Sequence, residues 1–160
     1  MKLRGIDFGR VHFASGAGGF KCDGSEYWHH RSWFLRPDFT GATKTTKTAT
    51  LYARTTENGA NMDLDENLRP MELLPRSIAV NPFLCCAVNA VGLANPGLRA
   101  LLDMGTWQSL KMPFFLSLMA VANTTNERLR EWERIVKIML EYKSGFKAPF
   151  ALQNNFSCPN

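Results

Sequence analysis

The spacing of apolar and polar positions changes several times along the chain, and each change marks a predicted element. Val11-His12-Phe13-Ala14-Ser15-Gly16 reads as a short buried strand entering a glycine-rich turn, where Gly16, Gly18 and Gly19 permit tight backbone geometry and close approach of a ligand. Phe20 to Thr40 holds Tyr27, Trp28, His29, His30, Trp33 and Phe34 without a clear period, which suits an irregular excursion or a short helix. Ala42 to Leu51 is rich in threonine, whose branched side chain fits a pleated surface better than a helix, so a strand is expected. Asn58-Gly59 through Arg69-Pro70 predicts an extended loop. Leu84-Cys85-Cys86-Ala87-Val88-Asn89 is expected to be a further extended segment, buried on its apolar content.

The second half is more regular. Asn95-Pro96-Gly97 offers an N-cap ahead of proline at the first helical position, and Gly105 can end a helix carrying Leu98, Leu101 and Leu102. Pro113 to Met119 is a continuous apolar run of strand length, as expected where both faces of a parallel strand are covered. Thr124 and Glu127 have capping-box spacing, and Leu129, Trp132, Val136 and Met139 or Leu140 recur every three or four residues as one apolar stripe. Gly145 can close this helix, and Ala151 to Ser157 follows as a strand. Strands alternating with helices imply a parallel α/β sheet. The order fits either an open doubly wound sheet or part of a closed barrel, and periodicity does not choose.

Composition narrows the function classes. At 160 residues, 45% hydrophobic and 21% charged, the chain can bury one ordinary core and predicts one globular unit. The formal charge of +5 comes from lysines and arginines scattered through both halves, not from a basic run, so nucleic-acid binding is not expected. A basic mouth suits an anionic substrate or a phosphate. No stretch approaches the ~18 apolar residues that a membrane span requires, and Met1-Lys2-Leu3-Arg4-Gly5-Ile6-Asp7 lacks the apolar run of a signal peptide, so a cytoplasmic protein without membrane contact is expected. Cys85 and Cys86 are adjacent and poorly placed to pair, while Cys22 and Cys158 stand alone, which predicts free thiols. Cys22, His29 and His30 have no second ligand pair at zinc spacing, so no metal is expected.

Asn155-Phe156-Ser157-Cys158-Pro159-Asn160 places amides, a hydroxyl and a thiol at the C-terminal end of a predicted strand, the active-site face of a barrel. Together with Ala14-Ser15-Gly16, Thr46-Lys47-Thr48-Ala49-Thr50-Leu51 and Asn89-Ala90-Val91-Gly92-Leu93-Ala94-Asn95, in that order along nearly the whole chain, these residues resemble the dihydroorotate dehydrogenase family. The resemblance implies an FMN-dependent TIM (β/α)8 barrel, of which residues 1–160 would be the N-terminal half with about four parallel strands. It further implies that such a piece is inactive alone, and it allows a homodimer at full length. Within it, Leu84 to Asn89 falls in the excursion between the second and third strands.

By the same resemblance, Ala14, Ser15 and Gly16 approach the flavin, Lys47 lies between flavin and substrate, and Asn89, Asn155 and Asn160 bind the pyrimidine ring. Backbone around Gly92 and Leu93 would receive the substrate carboxylate. Cys158 would be the base, cysteine there marking the soluble enzymes of the family and serine the membrane-associated ones. The chemistry is coherent: oxidising a dihydropyrimidine requires a hydride acceptor that no amino acid supplies and a base for the neighbouring carbon, which a positioned thiolate can be. The implied activity is conversion of dihydroorotate to orotate in pyrimidine biosynthesis. Another dihydropyrimidine or reduced ring, or a noncatalytic half-barrel, stays open. So does Lys44, which competes with Lys47 because both sit in Thr-Lys-Thr. Asn95 reads as the helix cap. The family's Asn-Pro-x-Pro-Arg-like segment is only loosely present as Asn61-Met62-Asp63-Leu64.

Overall fold

The computed structural model describes residues 1–27, 38–81 and 83–156. Trp28, His29, His30, Trp33 and Phe34, and the terminal Ser157, Cys158, Pro159 and Asn160, lie outside the described residues. A short antiparallel hairpin, β1 (Lys2–Leu3) and β2 (Ile6–Asp7), opens the chain. Next come β3 (Lys44–Thr45) and β4 (Ala49–Thr50), the hairpin β5 (Ile78–Asn81) and β6 (Cys86–Asn89), and helix α1 (Leu98–Asp103). Strand β7 (Phe114–Met119), helix α2 (Thr125–Tyr142), a 3-10 turn (Lys143–Gly145) and β8 (Phe150–Asn154) complete the order.

The organising sheet is parallel. Strands β3 and β4 pair in succession with the two ends of β7, Lys44 opposite Phe114 and Ala49 opposite Leu118, while β8 pairs along the whole of β7 from Phe114↔Phe150 to Leu118↔Asn154. The threonine-rich run is therefore one extended edge interrupted at Thr46 to Thr48. A parallel bridge between His12 and Thr43 adds the first segment beyond it. Neighbouring segments thus follow chain order, and the sheet is open among the described residues, with no closed barrel.

Alternation on β7 explains its central place. Phe114, Leu116 and Leu118 are buried in the core shared with Leu98, Leu101 and Leu102 of α1 and Ile135, Ile138 and Met139 of α2. The opposite face carries Ser117 among threonine hydroxyls, and Phe115, whose ring packs on Phe8. Both faces are covered, as a run of uninterrupted apolar residues predicts. Trp107 closes the core, its indole N–H donating to the Phe20 carbonyl at 2.7 Å.

Four expectations are corrected. The α2 capping box of Thr124 and Glu127 forms as expected. The buried face, however, is Trp132, Ile135, Ile138 and Met139, while Leu129, Val136 and Leu140 are exposed, Val136 by 45%. Two apolar stripes share this helix, and only docking against β7 selects one. Second, Leu84 to Asn89 is not buried: β5 and β6 form a hairpin exposed throughout, because nothing in the described residues packs on its outer face. Third, Val11 to Ala14 is largely exposed and among the described residues makes only the single bridge to Thr43, so it is not a buried strand. Fourth, Asn95 does not cap α1, whose N-cap is Gly97 without a side-chain bond. Asn95 is instead 2% exposed and locked to the end of β4. Gly105, of positive φ, follows the last turn of α1 as expected.

Candidate functional site

A cavity of about 1030 Å³ opens over the C-terminal ends of the parallel strands. Its floor comes from three places. The glycine-rich turn supplies Ser15, Gly16, Glu26 and Tyr27, the break between β3 and β4 supplies Lys47 and Thr48, and the end of β8 supplies Asn155. Its walls are the segment from Asp65 to Pro75 and the β5–β6 hairpin, through Ile78, Val80, Ala87 and Asn89, with Gly92 and Leu93 at the hairpin's exit. Seven of the residues singled out from the sequence therefore meet: Ser15, Gly16, Lys47, Asn89, Gly92, Leu93 and Asn155. Ala14 stays outside the lining, where its carbonyl accepts from Ala17 N–H at 3.1 Å. Lys44 lines a different cavity at the N-terminal ends of the strands, with Asp7, Asp23 and Asp38. The geometry separates the two lysines that the Thr-Lys-Thr echo left equivalent. Asn160 and Cys158 lie outside the described residues.

The floor is built on hydroxyls. Thr48 Oγ1 lies 2.8 Å from Ser117 Oγ and 3.3 Å from Ser15 Oγ, and it accepts from Asn155 Nδ2 at 3.0 Å. Ser15 Oγ donates to the Thr46 carbonyl at 2.9 Å. One buried threonine thus ties the first segment, the second edge, β7 and the end of β8. Threonine is apt because its methyl group fills the pleat while its hydroxyl both donates and accepts.

Around this floor charge is poorly hydrated. Burial lowers the pKa of Lys47 below the ordinary lysine value, with the charge of Glu26 working the other way. Its ammonium lies 5.5 Å from the centroid of the Phe20 ring, and among the described residues it forms no ion pair. Glu26 is 3% exposed and is held at about 7 by burial, although its carboxylate accepts from Phe20 N–H at 2.7 Å and Lys21 N–H at 2.6 Å. Burial also pushes the Tyr27 phenol up to about 12 while its hydroxyl donates to the Gly16 carbonyl. Cys22, buried beside this turn, is likewise raised to about 12, so it stays a thiol and is unsuited to nucleophilic work.

Gly92 is required by packing. It has φ of 71°, and a Cβ there would lie 2.8 Å from Ala60 Cα and 3.0 Å from the Gly59 carbonyl oxygen. Arg54 Nε donates to the Gly92 carbonyl at 2.8 Å, fixing the turn that presents Leu93. Sequence reasoning missed Glu26, Tyr27, Thr48, Ser117 and Arg69. Glu26 and Tyr27 had a signal, an acid and a phenol directly after a run of turn-forming glycines. Thr48 and Ser117 had none, because their meeting joins positions 69 residues apart. Arg69 Nε is buried at the cavity wall, without a hydrogen-bond partner among the described residues.

Chemically, the arrangement offers an apolar slot over a polar floor with two cations, Lys47 and Arg69, that form no ion pair among the described residues. That suits a flat ring bearing amide-like edges and an anionic group. Compared with known proteins, the chain matches no family model, no curated protein and no solved structure. No helix among the described residues is long and apolar enough to cross a membrane, and no group of three metal-ligating side chains occurs among them.

Proposed function

We infer that the protein is an FMN-dependent oxidoreductase resembling dihydroorotate dehydrogenase, which oxidises dihydroorotate or a close dihydropyrimidine. The observation that carries this reading is the convergence of Ser15, Gly16, Lys47, Asn89, Gly92, Leu93 and Asn155 on one cavity at the C-terminal strand ends. These residues come from four distant motifs, and the barrel reading requires such a meeting. The chain-order succession of parallel neighbours supports a half-barrel over a doubly wound sheet, in which the strand order reverses at a switch point.

The residues present fit a flavin ring: the cavity is large and mainly apolar, and Lys47 offers a cation with no ion-pair partner among the described residues. Ser15, Gly16, Lys47 and Asn155 would hold the ring. A bound flavin would supply the hydride acceptor that no side chain provides. Asn89 and Asn155 orient a planar substrate through amide hydrogen bonds. Cys158 removes the proton from the ring carbon next to the one that loses hydride.

The test is anaerobic rapid mixing of dihydroorotate with the flavin-loaded complete barrel that the resemblance implies, residues 1–160 alone being expected inactive. Flavin bleaching is expected, and Cys158→Ala should slow it by about two to four orders of magnitude with FMN still bound. Lys47→Ala should weaken flavin retention or turnover. A complete barrel that purifies without FMN and binds none on addition would refute the reading, and a wild-type rate in its Cys158→Ala variant would remove Cys158 as the base.

A further inference from the structure

We propose that Glu26 is a positioning residue of this cavity: an anion docking on Lys47 replaces Glu26 as the counter-charge of that lysine, and a proton from solvent moves onto the Glu26 carboxylate. The proposal rests on reading the cavity as the ligand site and names the ligand group it favours, a carboxylate or phosphate edge.

The loop is shaped around this carboxylate. A Cβ at Gly19 would lie 2.0 Å from Glu26 Oε2, so only glycine leaves room for the acid there. The same glycine's carbonyl accepts from Lys47 N–H at 3.1 Å, which ties the lysine backbone to the loop that holds the acid. Phe20 is shared as well, since its N–H donates to Glu26 and its ring lies under the Lys47 ammonium. Both side chains line the cavity.

Among the described residues, the charges facing Glu26 are few. Lys47 and Lys21 favour its ionised form, and burial opposes them and wins, leaving the carboxyl near 7. Tyr27 and Cys22 beside it are held neutral by burial, and Asp23 and Lys44 act on Cys22. Asp65, Arg69 and Glu72 line the far wall. Near neutral pH both states of Glu26 are accessible, so a second anion at Lys47 tips it to the protonated one. Like charges that share one cation in a poorly hydrated site cannot both stay ionised cheaply.

A role limited to stapling the loop would not produce this coupling, and NMR separates the two. The Glu26 carboxyl carbon is titrated in the ligand-free protein, in Lys47→Met, and in the wild type with inorganic phosphate or orotate added. The midpoint is expected near 7 in the wild type. It should rise in Lys47→Met, where a stabilising cation is lost, and rise again in wild type saturated with either anion. Lys47→Gln serves as the second neutral variant should Lys47→Met fail to fold. Calorimetry at pH 7 in buffers of different ionisation heat should show net proton uptake with Lys47→Arg, whose cation does not titrate, and none when Glu26→Gln is added. A midpoint in the ordinary carboxylate range, one that both neutral Lys47 variants leave in place, or one that neither anion moves would overturn the proposal. Absence of flavin binding by the complete barrel sinks the oxidoreductase reading instead and leaves these titrations to stand or fall by themselves.

Discussion

Replacing Asn95 with alanine should cost far more than the loss of a helix cap. The side chain is 2% exposed, and its oxygen accepts from Gly97 N–H at 2.9 Å and Thr50 N–H at 3.3 Å. Its amide nitrogen donates to Thr50 Oγ1 at 2.8 Å and to the Leu93 carbonyl at 2.6 Å. Alanine leaves two buried N–H groups without acceptors and a carbonyl without its donor, while Thr50 Oγ1 keeps its bond to the Tyr52 carbonyl. A buried polar group left unpaired costs about 1–3 kcal/mol. The long bond to Thr50 N–H and the spare lone pair of Leu93 put the expected total at about 3–4 kcal/mol, within the lower part of that summed range. A cap is worth about 1 kcal/mol. Equilibrium urea unfolding measures the difference, with the slope m unchanged if only the folded state is affected. Asn95→Asp should be rescued in part by acid, because the protonated carboxyl recovers one donor. A loss of about 1 kcal/mol or less in Asn95→Ala would refute the buried-pin account and return Asn95 to the role of a cap.

Three further outcomes follow from the packing and the charges. Ile135→Ala should destabilise by about 2–4 kcal/mol as a buried large-to-small change, whereas Val136→Ala, at a residue 45% exposed, should stay within about 1 kcal/mol; equal losses by urea unfolding would mean that α2 does not bury Ile135 in preference to Val136. Glu26 has a folded pKa of about 7 against an ordinary 4.5, so its contribution to stability is full below 4.5 and is lost as pH rises through 7. The loss is at most about 3 kcal/mol, at about 1.4 kcal/mol per pH unit of displacement, and Glu26→Gln should flatten the stability profile over that window; an unchanged profile counts against the burial argument. Gly92→Ala forces Cβ against Ala60 Cα and should destabilise by more than the ~1 kcal/mol typical of a point change. Thermal unfolding within a degree of wild type would show that the turn can shift at little cost.

Local elements were readable because their signals are local. The capping box of Thr124 and Glu127, the covered strand Phe114–Met119 and the helix stop at Gly105 each depend on residues a few positions apart. The same holds for the motifs around Ser15, Lys47, Asn89 and Asn155, whose residue types could be named singly without knowing that one cavity receives them. Choices between equals were not readable. Leu129 and Ile135 are both apolar at helical spacing, Lys44 and Lys47 share one tripeptide, and Asn95 satisfies the residue preference of a cap while doing something else.

The sequence alone therefore determined which stretches extend or coil and which residue types bear chemistry, since backbone preference and side-chain functionality belong to the residues themselves. Only the tertiary structure decided which helix face is buried, which lysine loses its water and which hydroxyls meet. Burial and desolvation are properties of neighbours, and the neighbours of Thr48 and Glu26 in the cavity arrive from strand ends far away in the chain.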